Sequence, residues 1–114
     1  MNSLPGEPLR ERLCKVSAVK DGEALRVELA GRPPVAVFNV DGQFHVIDDT
    51  CTHGDASLSD GYIEGDQVEC PWHSGRFCLK TGDALTFPAI QPVNVYRTLI
   101  QDDEIFIQLE SVNQ

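Results

Sequence analysis

The chain of 114 residues is long enough for one domain with its own core and too short for two. Eighteen acidic residues against nine basic ones leave a net charge of −9, which argues against nucleic acid or an anionic membrane surface as a partner, since both select basic patches. No apolar run approaches the length of about 18 residues that crosses a bilayer, and MNSLPGEPLRERL has no signal-peptide core, so a soluble, cytoplasmic protein is expected.

Residues 1–10 carry two prolines and a glycine and read as a loose arm. Leu9, Leu13 and Val16 stand at helical spacing, but Cys14, Val16 and Ala18 alternate with Leu13, Lys15 and Ser17, which favours a strand over 12–17. Asp21-Gly22 marks a turn. Leu25, Val27 and Leu29 then alternate with Arg26 and Glu28, the pattern of a strand buried on one face. Residues 31–34 break it. Strands over 35–40 and 44–47 flank Asp41-Gly42, a dipeptide suited to a type I′ hairpin turn. From 48 to 75 glycine, aspartate and serine dominate, and large apolar residues are few (Leu58, Tyr62, Ile63, Val68, Trp72).

A strand resumes over 76–79, with Phe77 and Leu79 on one face, and Thr81-Gly82-Asp83 turns the chain. Pro88 and Pro92 bracket a break. A single strand is expected from Val93 to Ile100, and Asp102-Asp103 leads into another over 104–110. No internal repeat occurs. Short strands between frequent turns predict an all-β fold, a small antiparallel β-sandwich or barrel.

The chemistry lies in CTHGDASLSDGYIEGDQVECPWH, residues 51–73, whose skeleton is C-x-H-x16-C-x2-H. Residues two apart in extended backbone project to the same side, so Cys51 and His53 can face one centre. Cys70 and His73 can do so from a turn begun by Pro71. Two loops, each with one sulfur and one nitrogen donor, suit a site with two metal positions, such as a cluster with two cysteines on one iron and two histidines on the other. The remaining cysteines, Cys14 and Cys78, are expected to be buried thiols without a disulfide.

This segment, continued as SGRFCLKTGD, resembles the cluster-binding region of Rieske-type [2Fe–2S] proteins, and most closely the ferredoxins of bacterial aromatic-ring-hydroxylating dioxygenase systems. The resemblance implies a single Rieske domain over 1–114, a β-sandwich with a cluster-binding subdomain inserted at about 48–83. It also implies that Cys51, His53, Cys70 and His73 ligate one [2Fe–2S] cluster. Thiolates stabilise ferric iron, so Cys51 and Cys70 are assigned the inner iron, and His53 and His73 the outer one that accepts the electron. Replacing two thiolates by neutral imidazoles raises the potential of such a cluster. The implied role is one-electron transfer from a flavin-containing, NAD(P)H-dependent ferredoxin reductase to a terminal oxygenase, most simply by a monomer.

Rieske proteins of the cytochrome bc complexes add a loop disulfide and hydroxyl donors from a serine and a tyrosine. Ala56, Trp72, Gly75 and Phe77 occupy those positions here and supply neither. Fewer hydrogen bonds to the sulfurs predict a potential near or below the low end of the range of about −150 to +300 mV. Gly54 and Gly75 are expected to offer backbone N–H donors near the cluster, or to serve as ordinary turns. Trp72 is expected to shield it, or else to meet a partner, and the loop at Pro88 to cover it. His45 lies in a strand pattern and reads as structural. Without iron, the ligand loops are expected to be disordered while the sandwich persists.

Two other readings compete. A small subunit of an assimilatory nitrite reductase would share the fold. A structural zinc module would use the same donor set, but ordinary fingers place the cysteine pair ahead of the histidine pair. An oxygenase active site fails by counting: a mononuclear iron needs two further histidines and a carboxylate, and only His45 is left.

Overall fold

The computed structural model describes residues 9–52, 56–72, 75–87 and 91–109. Among them the strands are β1 (Leu9–Lys15), β2 (Ala24–Leu29), β3 (Arg32–Val40), β4 (Gln43–Asp48), β5 (Tyr62–Glu64), β6 (Gln67–Glu69), β7 (Arg76–Cys78), β8 (Ala84–Thr86), β9 (Val95–Tyr96), β10 (Thr98–Gln101) and β11 (Glu104–Leu109). Single 3-10 turns occur at Val16–Ala18 and Leu58–Asp60. The strands form three antiparallel sheets, ordered β1-β11-β10, β2-β3-β4-β9 and β5-β6-β7-β8.

The central sheet is covered on both faces. Val35, Val37 and Val46 pack with Leu13, Cys14, Val19, Ile105 and Ile107 from the β1-β11-β10 side. Ala36, Phe38 and Ile47 pack with Leu58, Val68, Phe77 and Leu79 from the β5–β8 side. Alternate residues of β3 therefore serve two cores, which explains why 35–39 are all buried. The expected sandwich carries the third sheet as an added layer. That sheet reaches Thr86, beyond the boundary near 83 expected for the cluster-binding segment.

Several boundaries differ from the sequence reading for local reasons. β1 starts earlier than expected and ends at Lys15. A bulge between Arg12 and Cys14 turns both Leu13 and Cys14 inward, and residues 16–18 close a 3-10 turn, with Val16 N–H donating to the Asp103 carbonyl at 2.8 Å. Pro33 and Pro34 lie inside β3 rather than in a break. Val27 pairs with Val35 and Leu29 with Arg32, so the two prolines oppose Glu28 alone in a bulge that needs no donor from them. The strand expected over 93–100 is two strands, since β9 pairs with β4 and β10 with β11, the chain changing sheets at Arg97.

The hairpin turns bear out their composition. Asp41 and Gly42 have φ of 53° and 84°, as type I′ requires, and Asp102 and Asp103 repeat the geometry at 55° and 64° without a glycine. β5, β6 and β8 are additions to the sequence reading. The stretch in which large apolar residues are few contributes the fully buried Leu58 and Val68.

Candidate metal centre

Two hairpins carry the ligand segments, and they close in the same way. At the end of β4 an isolated bridge pairs Thr50 with Ser57. Beside it Leu58 N–H donates to the Asp49 carbonyl at 2.6 Å, and Cys51 N–H donates to the Ala56 carbonyl at 3.0 Å. In the second hairpin Glu69 pairs with Arg76, and Cys70 N–H donates to the Gly75 carbonyl at 2.7 Å. Each cysteine thus opens a loop closed by the carbonyl five residues later, and each loop contains one histidine in sequence. His53, His73, Gly54 and Pro88 lie outside the described residues, and among the described residues no group of three or more His, Cys, Asp or Glu is arranged for a metal.

Cys51 and Cys70 are both buried, in one apolar cluster with Ala56, Leu58, Val68 and Phe77. A bare thiolate in such surroundings is costly. Iron bound by the two thiolates would offset that cost, so the donor chemistry of Cys51 and Cys70 fits iron on the cysteine side. Gly75 is also buried at the loop's closing carbonyl. Phe77 is fully enclosed at the position where a tyrosine would add a hydroxyl.

Trp72, expected either to shield the cluster or to meet a partner, is 65% exposed. Phe87 follows Thr86, the register partner of Arg76 at the root of the second loop, and is 84% exposed.

Two charged residues near the site were not singled out in the sequence. Asp49, two positions before Cys51, is only 2% exposed and accepts hydrogen bonds from Ser57 Oγ at 2.5 Å and Ser59 N–H at 2.9 Å. Arg76 donates to Glu64 Oε1 at 2.7 Å and stands 3.1 Å from Glu69 Oε1. Hydrogen bonding to Glu64 is the main cause that raises its pKa above the ordinary arginine value. A pattern of carboxylates alternating with arginine across short strands could have signalled the second group, had the strands been recognised.

The other candidates stand apart. His45 on β4 pairs with Phe38 on β3 and is half-buried, and burial, with Lys80 nearby, lowers its pKa. Cys14 is buried, and that burial pushes its thiol pKa up. Cys78 is only partly buried, contrary to expectation, and the Thr81 hydroxyl pulls its pKa down. Neither forms a disulfide.

The family model described as "Rieske [2Fe-2S] domain" matches residues 10–97. The 3-phenylpropionate/cinnamic acid dioxygenase ferredoxin subunit of Escherichia coli (strain K12) is 50% identical over 97 residues, covering 84% of this chain and 90% of that protein. Among solved structures, the Sphingomonas yanoikuyae B1 ferredoxin superposes with a TM-score of 0.85 at 44% identity, over 90% of this chain and all of that one. A chain from the complex of reduced oxygenase and oxidized ferredoxin in carbazole 1,9a-dioxygenase gives 0.84 at 35% identity, over 95% of this chain and 100% of its own.

Proposed function

The chain belongs to the Rieske [2Fe–2S] domain family, and we propose on that premise that Cys51 and Cys70 hold one iron of its cluster while His53 and His73 hold the other. The protein carries electrons one at a time as the ferredoxin component of an aromatic-ring dioxygenase system; it does not itself catalyse oxygenation. The observation that carries the ligand assignment is the pair of matched loops, each opened by a buried cysteine and closed five residues on.

Bound there, the cluster supplies a reversible one-electron site. The chain does the rest. The two hairpin stems fix where the thiolates point, and Leu58, Val68 and Phe77 exclude water from the sulfur side. Trp72 and Phe87 present apolar surface beside the loops, where a terminal oxygenase can dock. The electron donor in this reading is a flavin-containing, nicotinamide-dependent reductase, and the setting is the cytoplasm. No helix among the described residues is long and apolar enough to cross a membrane.

Electron paramagnetic resonance of the dithionite-reduced protein tests the assignment, together with iron and acid-labile sulfide analysis. A reduced Rieske signal with about two irons and two sulfides per chain is expected, and it should vanish or change form in His53→Cys and His73→Cys. Colourless protein without sulfide would point to zinc, and an unchanged midpoint in both variants would remove the histidines from the ligand set.

A further inference from the structure

The two loops close alike, but their stems are held by different charges. In the first hairpin the Asp49 carboxylate reaches from the strand entering the loop to the segment leaving it. One oxygen accepts from Ser57 Oγ at 2.5 Å and the other from Ser59 N–H at 2.9 Å. The Ser57 and Ser59 hydroxyls are themselves 2.8 Å apart. Among the described residues the cation facing this carboxylate is Arg26 of β2, at 3.6 Å, and that guanidinium lies closer to Glu28, at 2.9 Å. Asp49 is therefore a buried carboxylate well supplied with hydrogen bonds but only loosely matched in charge.

In the second hairpin the sign is reversed. The Arg76 guanidinium lies 2.7 Å from Glu64 on β5, 3.1 Å from Glu69 on β6 and 3.4 Å from Gln67. The Arg76 backbone N–H donates to Thr86 Oγ1 on β8 at 3.0 Å. One residue on β7 thus ties all four strands of the third sheet together at the mouth of the second loop. Glu69 directly precedes Cys70, and Arg76 directly follows Gly75, whose carbonyl closes the loop.

We propose that Asp49 and Arg76 are positioning residues, one for each ligand loop, and that their opposite charges bias the cluster's reduction in opposite directions. The inference rests on the ligand assignment above. Reduction adds a negative charge to the site. A buried carboxylate two residues from Cys51 opposes that charge, and the guanidinium favours it while also separating Glu64 from Glu69. Arg76 is partly exposed, so salt screens its influence more than that of Asp49.

The experiment compares holoprotein carrying D49N, S57A, R76Q or R76K with the parent. Cluster bleaching by a chelator is timed, and the midpoint is measured by protein-film voltammetry. Losing one stem hydrogen bond is expected to speed bleaching about fivefold or more in D49N, S57A and R76Q. The midpoint should rise in D49N, fall in R76Q and stay in place in S57A, which keeps the carboxylate. R76K should restore the midpoint while still bleaching faster, because lysine keeps the charge but not the forked contacts.

Bleaching within about twofold of the parent, less than even a weak hydrogen bond is worth, would overturn the clamps. Midpoints moving the same way in D49N and R76Q would do so too, since mere loosening has no sign. If D49N accumulates no holoprotein, S57A decides the first loop. A parent protein without iron or sulfide defeats the ligand assignment instead, and is told apart from failed clamps at once.

Discussion

Tyr96 fastens the short strand β9 beside the first ligand hairpin. Its hydroxyl donates to Asp48 Oδ1 at 2.6 Å, while Asn94 N–H donates to Asp48 Oδ2 at 3.2 Å. Burial, reinforced by the Asp48 carboxylate, raises the phenol's pKa to about 12. The folded chain therefore holds this proton more tightly than the unfolded chain, where phenol titrates near about 10. The stability contributed by the bond is fully present below about pH 10 and is lost as pH rises through the folded value. Urea unfolding of the parent and of Tyr96→Phe should show a constant gap up to that pH and a shrinking gap above it. A gap that widened in alkali would contradict the assignment. Gly82 makes a different kind of constraint at the same edge. Its φ is +79°, and an added Cβ would lie 2.2 Å from the Val93 carbonyl, so only glycine lets the β7–β8 turn lie against the segment entering β9.

At the scale of elements, what could be read from the sequence depended on length. β2, β3, β4 and β11 are six to nine residues long, enough for alternation to be counted, and Asp-Gly marks the β3–β4 turn and Asp-Asp the turn before β11. β5, β6, β7 and β8 have three residues each. Three residues cannot display a period, so of these only β7 was anticipated, through Phe77 and Leu79. The cysteines proposed as ligands stood out because ligand chemistry constrains spacing whatever the fold. Asp49 and Arg76 did not, because a charge in a polar stretch looks solvated until its neighbours in space are known. The same short strands sharpen the expectation for iron-free protein. Leu58, Val68, Phe77 and Leu79 give the third sheet a core shared with β3 and β4, which does not need the cluster. Loss of iron should therefore release the closing bonds of the two loops and spare the sheets. Hydrogen exchange should show the amides of Cys51 and Cys70 exchanging faster without iron, with those of Phe38 and Val46 unchanged. Equal protection of the cysteine amides in both forms would count against the cluster as the loops' constraint.

For the molecule as a whole, the excess of acid and the apolar rim of the site act at different distances. Arg12, Arg26, Arg76 and Lys80 each face a carboxylate of the chain itself, so much of its positive charge is spent internally. The net charge of −9 is then a long-range property, able to draw in a basic partner surface but unable to orient the cluster side towards it. Orientation falls to short-range contact, for which Trp72 and Phe87 offer exposed aromatic area beside the loops. The two contributions separate with salt. Raising ionic strength from about 20 mM to about 500 mM shortens the Debye length from roughly 20 Å to roughly 4 Å, and should slow stopped-flow electron transfer to the oxygenase about tenfold at limiting concentrations. Trp72→Ala should slow it further by a factor that is the same at both salt levels, with the midpoint potential unmoved, because a desolvated aromatic contact is not screened. A rate indifferent to salt would mean that the acidic surface serves solubility alone. A Trp72→Ala defect that disappears at high salt would mean that the indole acts through the charged encounter and not in the docked pair.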